Sequence, residues 1–531
     1  MSKRTAHLLL VDASKPSRAA TRQAIRALGF RETSEALSCQ EALRILEQSS
    51  VDVIVADQDL GDKTAPEFFT LLSETEATQH IPFILTGSFQ TEEDVLAANS
   101  GGIPYCLSKP LIPASIEEML DRLCANEVKR AQELVAAAEE AKAEASGQGE
   151  AGTVSRREQL LTEAGTYVVR VLRVDAEHYE ALCALAQVAV LKGRYTYAVS
   201  LYHQGINVDR RKPIAHLELA QIHMDREDYA AAIKVLTRFK QIARSPEACQ
   251  KLGEAYLQAE QYDEAMQVFE EGIQFAELFD TPPKVFAAHY DGLGQVFACL
   301  AFSSGDESLQ LRAAQSYERS LALDPERISA KYNLMVSYEA MHDQEKAQAV
   351  LEDLTQQTPT TAQDWSYLGQ ALLASGDREK AKEAFDQATT LKPNDLSLQR
   401  QIGEANLRAG LYEEAANVWS RSGHLQRAVI AHNHYGLLLR KQKKYQEAMR
   451  EYTKALDLDP RNVVILCNLA RAHIEAQEAA EAVPVLHRAL EMDPTNQRVK
   501  QLLHFVESSL QRATSQEGSA AMVESEAGQA A

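Results

Sequence analysis

The chain repeats itself, and that repetition constrains its fold more than any other feature. Leu368-Gly369, Ile402-Gly403 and Tyr435-Gly436 recur 33 or 34 residues apart. Each pair is followed at a fixed distance by a small residue and then a large aromatic one: Ala381 and Phe385, Ala415 and Trp419, Ala448 and Tyr452. A period of this length is the mark of a solenoid, in which each unit buries its apolar face only against its neighbours. The spacing suits two helices per unit, because small residues let the helices approach and larger ones fill the gap to the next pair. Pro325, Pro359, Pro393, Pro460 and Pro494 are placed to stop the second helix of a unit. About nine units are expected over 179–496, opening near Tyr179, Pro213, Pro246, Lys284, Ile328, Ala362, Leu396, Val429 and Val463. The fourth is read as expanded by a loop insertion over Ser303–Gln310. Residues 155–178 read as a degenerate leading helix and 497–513 as a capping helix over the last exposed face. Residues 514–531, rich in Ser, Glu, Gly and Ala, are too polar to pack and read as a disordered tail.

Residues 1–125 follow a different rule. Apolar strands alternate with helical periodicity: a strand at His7–Val11, helical patterns at Lys15–Leu28 and Cys39–Leu46, and the strand Val53-Ile54-Val55-Ala56 closing on Asp57. A helix around Pro66–Leu72, a strand Ile81–Leu85, a helix Glu92–Asn99, a strand Ile103–Leu107 and a helix opening near Pro113 follow. With a second strand counted before Val53 but not placed by its residues, five strands alternating with helices predict an α/β doubly wound parallel sheet with helices on both faces. The chain is therefore multidomain, an α/β domain followed by an all-α solenoid. In open sheets of this kind ligands bind at the carboxyl ends of the strands, and there stand Asp12, Asp57, Thr86 and Lys109. A carboxylate pair can hold Mg²⁺, which takes oxygen ligands. A lysine neutralises a phosphoryl group and a hydroxyl donates to one of its oxygens, so the set suits in-line phosphoryl transfer onto Asp57.

On the motifs Leu8-Leu9-Leu10-Val11-Asp12-Ala13-Ser14, Val53–Asp57, Leu85-Thr86-Gly87 and Ser108-Lys109-Pro110, residues 1–125 resemble the receiver domain of two-component response regulators. The resemblance implies a flavodoxin-like strand order 2-1-3-4-5. It implies that a sensor histidine kinase or phosphotransfer protein phosphorylates Asp57, that Thr86 and Lys109 contact the phosphoryl group, that Mg²⁺ is the cofactor and that the Lys109–Pro110 bond is cis. Two features depart from the pattern. Receivers carry adjacent acids after the first strand, where this chain has Asp12-Ala13, so the metal site is expected to be weakened. Its ligands would be Asp12, Asp57 and Asp59, the last through its backbone carbonyl or a side chain turned inward to compensate. The switch aromatic three residues before the lysine is replaced by Cys106, with Tyr105 one place earlier.

Trp365, Leu368, Gly369, Ala381, Phe385, Ala388 and Pro393 make the stretch Trp365–Pro393 similar to a tetratricopeptide repeat (TPR). An array of such repeats implies a concave groove suited to a protein or peptide ligand. Candidate groove residues are Asn333 and Asn468, at the sixth position of their units, with Arg400 and Arg471 nearby. Between the two halves, residues 126–154 read as a helical, then Gly-rich linker ending at Ser146–Gly152. The weak heptad Cys124, Val128, Ala131, Val135 and Ala138 is read as a solvated extension of the last receiver helix, the alternative being a dimerising signal helix, with the glycines decoupling the halves mechanically.

A net charge of -21 argues against nucleic acid or anionic lipid as a generic partner. No apolar run long enough to insert in a membrane is read, and seven singly scattered cysteines read as small core residues in a reducing compartment. The expected function is a cytoplasmic response regulator with protein-binding TPR output, not an enzyme. The alternative is a constitutive scaffold whose pseudo-receiver works without phosphate.

Overall fold

Strands rich in Val, Ile and Leu can be buried on both faces only if helices cover both sides, and β1 (Leu8–Val11), β3 (Val53–Asp57) and β4 (Phe83–Gly87) are almost wholly buried. The computed structural model describes residues 4–75, 77–89, 102–144, 150–392 and 395–511. With β2 (Thr33–Ala36) and β5 (Tyr105–Ser108), the strands form a parallel sheet in the order β2-β1-β3-β4-β5. Its register sets Val11 beside Ala56 and Asp57 beside Thr86, bringing the polar strand ends to one edge. The helices α1 (Lys15–Ala27), α2 (Cys39–Gln48) and α3 (Ala65–Ser73) open on Ser14, Ser38 and Thr64; the two serine oxygens accept free helix amides, and the Thr64 amide donates to the Glu67 carboxylate at 2.8 Å. The Lys109–Pro110 bond is cis. The helix expected over Glu92–Asn99, the centre of the Gly cluster, Pro393 and the tail lie outside the described residues.

The chain divides into two compact units, Met1–Met224 with Asp228–Val285, and Asp225–Glu227 with Phe286–Ala531. In the first unit, one helix runs from Pro113 to Glu144, so the expected boundary at 125 falls inside it. A second helix, Glu150–Val174, begins within the Gly-rich stretch and contains Gly152. The expectation of a solvated, decoupling linker is overturned: Cys124, Val128, Ala131, Val135 and Ala138 are buried, as are Leu161, Ala164, Val168 and Val171, in one core where the two helices pack together. Small alanines on the seam permit that close approach. The second helix is also fastened to the amino-terminal ends of the strands. The amides of Thr5 and Ala6 donate to the Arg173 carbonyl at 2.8 and 2.9 Å, and Arg173 pairs with Asp52 at 2.9 Å. Arg170 pairs with Glu127 at 2.9 Å and donates to the His80 carbonyl. Three helix pairs follow, from Tyr179–Leu191 to Tyr262–Leu278.

The repeats are organised by glycines lying under aromatic rings. Gly253 faces Phe269, Gly369 faces Phe385, Gly403 faces Trp419 and Gly436 faces Tyr452, each ring 16 residues on. In the expanded unit Gly294 faces Tyr317, 23 residues on. The additional seven residues amount to about two helical turns, which keep the packing face in phase. They lengthen the helices Pro283–Ser304 and Glu307–Leu323, which meet at a tight turn where Gly305 has φ +70°. The expected loop over Ser303–Gln310 is thus a helical extension. Among the described residues, Pro283–Ser304 is the one helix long and apolar enough to cross a membrane, a length the sequence reading missed. It contains the buried His289 and Asp291, and its Ala287 carbonyl accepts from the Ser320 hydroxyl at 2.8 Å. In the second unit, pairs opening at Ile328, Ala362, Leu396, Leu425 and Val463 complete the series. Helix Leu425–Lys441 starts one turn before the expected Val429, and a last helix covers 497–511.

Candidate functional site

At the carboxyl edge of the sheet Asp12 follows β1 and is buried, Asp57 ends β3 half-buried, Thr86 lies buried in β4, and Lys109 follows β5. The Lys109 ammonium reaches Asp57 Oδ1 at 2.9 Å and Asp12 Oδ2 at 3.1 Å. It also donates to Ser17 Oγ at 2.7 Å, so all three of its N–H donors have acceptors. The second Asp12 oxygen accepts from the Ser14 amide at 2.7 Å. Ser17, in the first turn of α1, is a site residue the sequence reading missed; nothing in its local pattern shows that this turn faces Lys109. Thr86 stands beside Asp57 in the register, but its hydroxyl donates to the Ala56 carbonyl at 3.2 Å.

The donor set does not complete the expected metal site. Ala13 presents a methyl group, 3.4 Å from where a Cβ on Gly61 would lie. Asp59 is exposed and its Oδ1 accepts from the Gly61 amide at 2.9 Å, so its carboxylate is not turned inward to compensate. Among the described residues no three His, Cys, Asp or Glu side chains are grouped to hold a metal ion. Mg²⁺ demands close octahedral oxygen coordination, whereas the two carboxylates present are spanned by an ammonium. Replacing Asp59 with Asn is accordingly expected to leave Mg²⁺ affinity, measured by calorimetry, unchanged. A loss of about tenfold or more, the usual cost of removing a group that supports a metal site, would show that its carboxylate takes part.

Side chains of adjacent strand residues point to opposite faces. Tyr105 is buried against the helix Pro113–Glu144, where its hydroxyl accepts from Asn126 Nδ2 at 3.2 Å. It therefore cannot replace the switch aromatic, and Cys106, on the other face, supplies no ring.

The groove candidates are largely committed to the solenoid itself. Asn333 Nδ2 donates to the buried Asp291 at 3.4 Å, and that carboxylate also holds Arg327 at 3.0 Å and Ser329 at 2.6 Å. Asn468 Nδ2 donates to Asn433 Oδ1 at 2.8 Å. The pairs Tyr332–Gln370 at 3.1 Å and Gln363–Gln401 at 2.7 Å tie successive first helices in the same way. Each asparagine amide thus makes a hydrogen bond to the neighbouring unit. Arg400 pairs with Glu404 at 3.5 Å, and half-buried Arg471 lies near Cys467.

Comparison with known proteins assigns both halves. A family model described as response regulator receiver domain matches residues 8–121, and tetratricopeptide repeat models match 183–248, 223–276, 362–395 and 439–504. The chain joins a receiver domain to tetratricopeptide repeats. Chemotaxis protein CheY-3 of Vibrio cholerae serotype O1 is 25% identical over 116 residues, covering 22% of this chain and 89% of the relative. Chemotaxis protein CheY of Pseudomonas aeruginosa is 22% identical over 116 residues, covering 22% and 94%. Sperm-associated antigen 1 of Mus musculus is 33% identical over 98 residues, covering 18% of this chain and 11% of that protein. Among solved structures, a tetratricopeptide repeat protein from Parabacteroides merdae aligns over 52% of this chain and 99% of its own, at 15% identity and a TM-score of 0.36. The receiver-TPR chain is therefore response-regulator-like.

Proposed function

We propose that this chain is a cytoplasmic response regulator, phosphorylated on Asp57 by a sensor histidine kinase or phosphotransfer protein, whose repeats bind a protein partner as output. The observation that carries the reading is the Lys109 ammonium 2.9 Å from Asp57 at the sheet's carboxyl edge. An Asp57 oxygen would form the new O–P bond as the donor's P–N bond breaks, with the departing imidazole keeping the bonding pair. Lys109 neutralises the phosphoryl charge in a reaction whose catalysis is mainly positioning and electrostatics. The Thr86 hydroxyl would leave the Ala56 carbonyl to donate to a phosphoryl oxygen. In this reading the chain turns over no substrate of its own.

The route to the output runs through the first unit. The receiver is held at the edge of its sheet opposite Asp57, through Arg170 and Arg173. Tyr105 on β5 bonds Asn126, the neighbour of the Glu127 that pairs with Arg170. A shift of β5 would thus reach the helix that leads into the repeats.

Incubation of the purified chain with acetyl phosphate is expected to add the mass of one phosphate, acid-stable and base-labile, and Asp57→Ala is expected to abolish the gain. Failure of the wild-type chain to gain mass, under conditions that label a receiver with both acids, would leave the scaffold reading, which Ala13 favours.

A further inference from the structure

We infer that the Lys109 ammonium, fixed by Ser17, takes the place of the divalent cation at this edge, so that phosphorylation of Asp57 does not require Mg²⁺. The inference rests on the reading of Asp57 as phosphoacceptor. A receiver edge with three carboxylates and one lysine carries two excess negative charges, and an incoming phosphoryl group adds more, so a divalent cation is needed. With Ala13 in place of the third acid, one ammonium leaves a single excess negative charge on Asp12 and Asp57. The ammonium lies within 3.1 Å of both carboxylates. A divalent cation on the same oxygens would be set close against the ammonium that already lies there, charge against like charge.

Ser17 makes the ammonium harder to displace. A lysine held only by carboxylates can swing on its four-carbon stem, but the Ser17 hydroxyl at 2.7 Å is a third, uncharged acceptor from a separate element, α1. It fixes the head group between the acids and is a positioning residue: it acts through Lys109. In the phosphoryl step an Asp57 oxygen forms the O–P bond while the P–O bond of acetyl phosphate breaks and acetate departs with the bonding pair. The ammonium is the pre-placed charge that this step meets, available without binding a metal.

The test uses the full chain, with Ala13→Asp to restore the third acid and Ala13→Asn as a control of similar size without the charge. Ala13 is exposed, so both side chains can be accommodated. Calorimetric titration with Mg²⁺ is expected to show the wild type and Ala13→Asn binding at least about tenfold more weakly than Ala13→Asp, the scale of effect for groups that build a metal site. Labelling by acetyl phosphate is expected to proceed at similar rates in EDTA and in Mg²⁺ for the wild type, and to depend on Mg²⁺ for Ala13→Asp. Ser17→Ala is expected to slow labelling in EDTA, and Ser17→Thr, which keeps the hydroxyl, to restore it. Mg²⁺ binding by the wild type as tight as by Ala13→Asp, or labelling confined to Mg²⁺, overturns the inference. Absence of labelling in both media overturns instead the reading of Asp57 as phosphoacceptor, and the Mg²⁺ titrations still decide the cation question.

Discussion

Replacing Arg170 with methionine is expected to loosen the helix Glu150–Val174 from the receiver by about 3–5 kcal/mol, the cost of breaking a buried ion pair from one side. Glu127 is 2% exposed and Arg170 8%, and they meet at 2.9 Å. Methionine fills much of the arginine's space but leaves the carboxylate buried with a more distant cation, Arg130 at 3.9 Å. The donation to the His80 carbonyl is lost as well. Hydrogen exchange at neutral pH should show the loss as faster exchange of amides in 160–174, with the sheet strands less affected. Acidity provides a check on the cause. Burial pushes the Glu127 carboxyl above its ordinary value, against the opposing pull of Arg170 and Arg130. A carboxyl raised in the folded state contributes stability that is full below its unfolded pKa and is lost as pH rises through the raised value. Removing Arg170 removes a downward pull, so the deficit of the variant should be full at neutral pH and shrink on acidification toward the ordinary carboxylate range. Glu127→Gln in the same chain should recover much of the loss at neutral pH. A deficit that ignores both pH and the second substitution would place its origin elsewhere.

That ion pair was hidden from the sequence for a physical reason. An alanine-rich seam such as Cys124, Val128, Ala131, Val135 and Ala138 has the same pattern whether it faces solvent, a second copy or the next helix of its own chain. Only the tertiary fold shows that the next helix covers it. By contrast, the strand-end residues Asp12, Asp57, Thr86 and Lys109 were legible, because a parallel sheet brings the ends of buried strands to one edge whatever the details of the loops. The edge strand Thr33–Ala36 was not, since only Ala36 of its four residues is buried and its polar residues give no alternation. Ser17 and Asp62 escaped for a related reason. Asp62 accepts the amides of Cys39 at 2.8 Å and Gln40 at 3.1 Å and so caps α2 from a distant loop. In the repeats, periodicity disclosed the helix pairs, while the commitment of Asn333 and Asn468 to neighbouring units depends on contacts between residues some 35 to 42 positions apart.

Trp419→Ala is expected to destabilise the unit built on Leu396–Arg408 and Tyr412–Arg421 by about 3–5 kcal/mol, the usual cost of deleting a fully buried large aromatic. The indole is 2% exposed and lies over Gly403, where an added Cβ would collide with the ring. Gly403 beneath the ring has no side chain to move into the space. The next unit offers a contrasting substitution at the equivalent ring. Tyr452 is fully buried over Gly436, and among the described residues its hydroxyl has no hydrogen-bond partner, as the Trp419 indole nitrogen has none. Burial pushes the Tyr452 phenol up to about 12, as expected of a hydroxyl removed from water. An unpaired buried polar group typically costs about 1–3 kcal/mol, so Tyr452→Phe is expected to leave stability unchanged or raise it. Trp419→Phe should fall between the two, losing ring volume but also shedding an unpaired N–H. Because units of a solenoid are coupled mainly to their neighbours, the Trp419→Ala loss should appear as faster hydrogen exchange in 396–458 and leave 4–89 unaffected. If Tyr452→Phe were as damaging as Trp419→Ala, the hydroxyl would have to hold a partner, and ring packing over glycine would not be what sets the stability of these units.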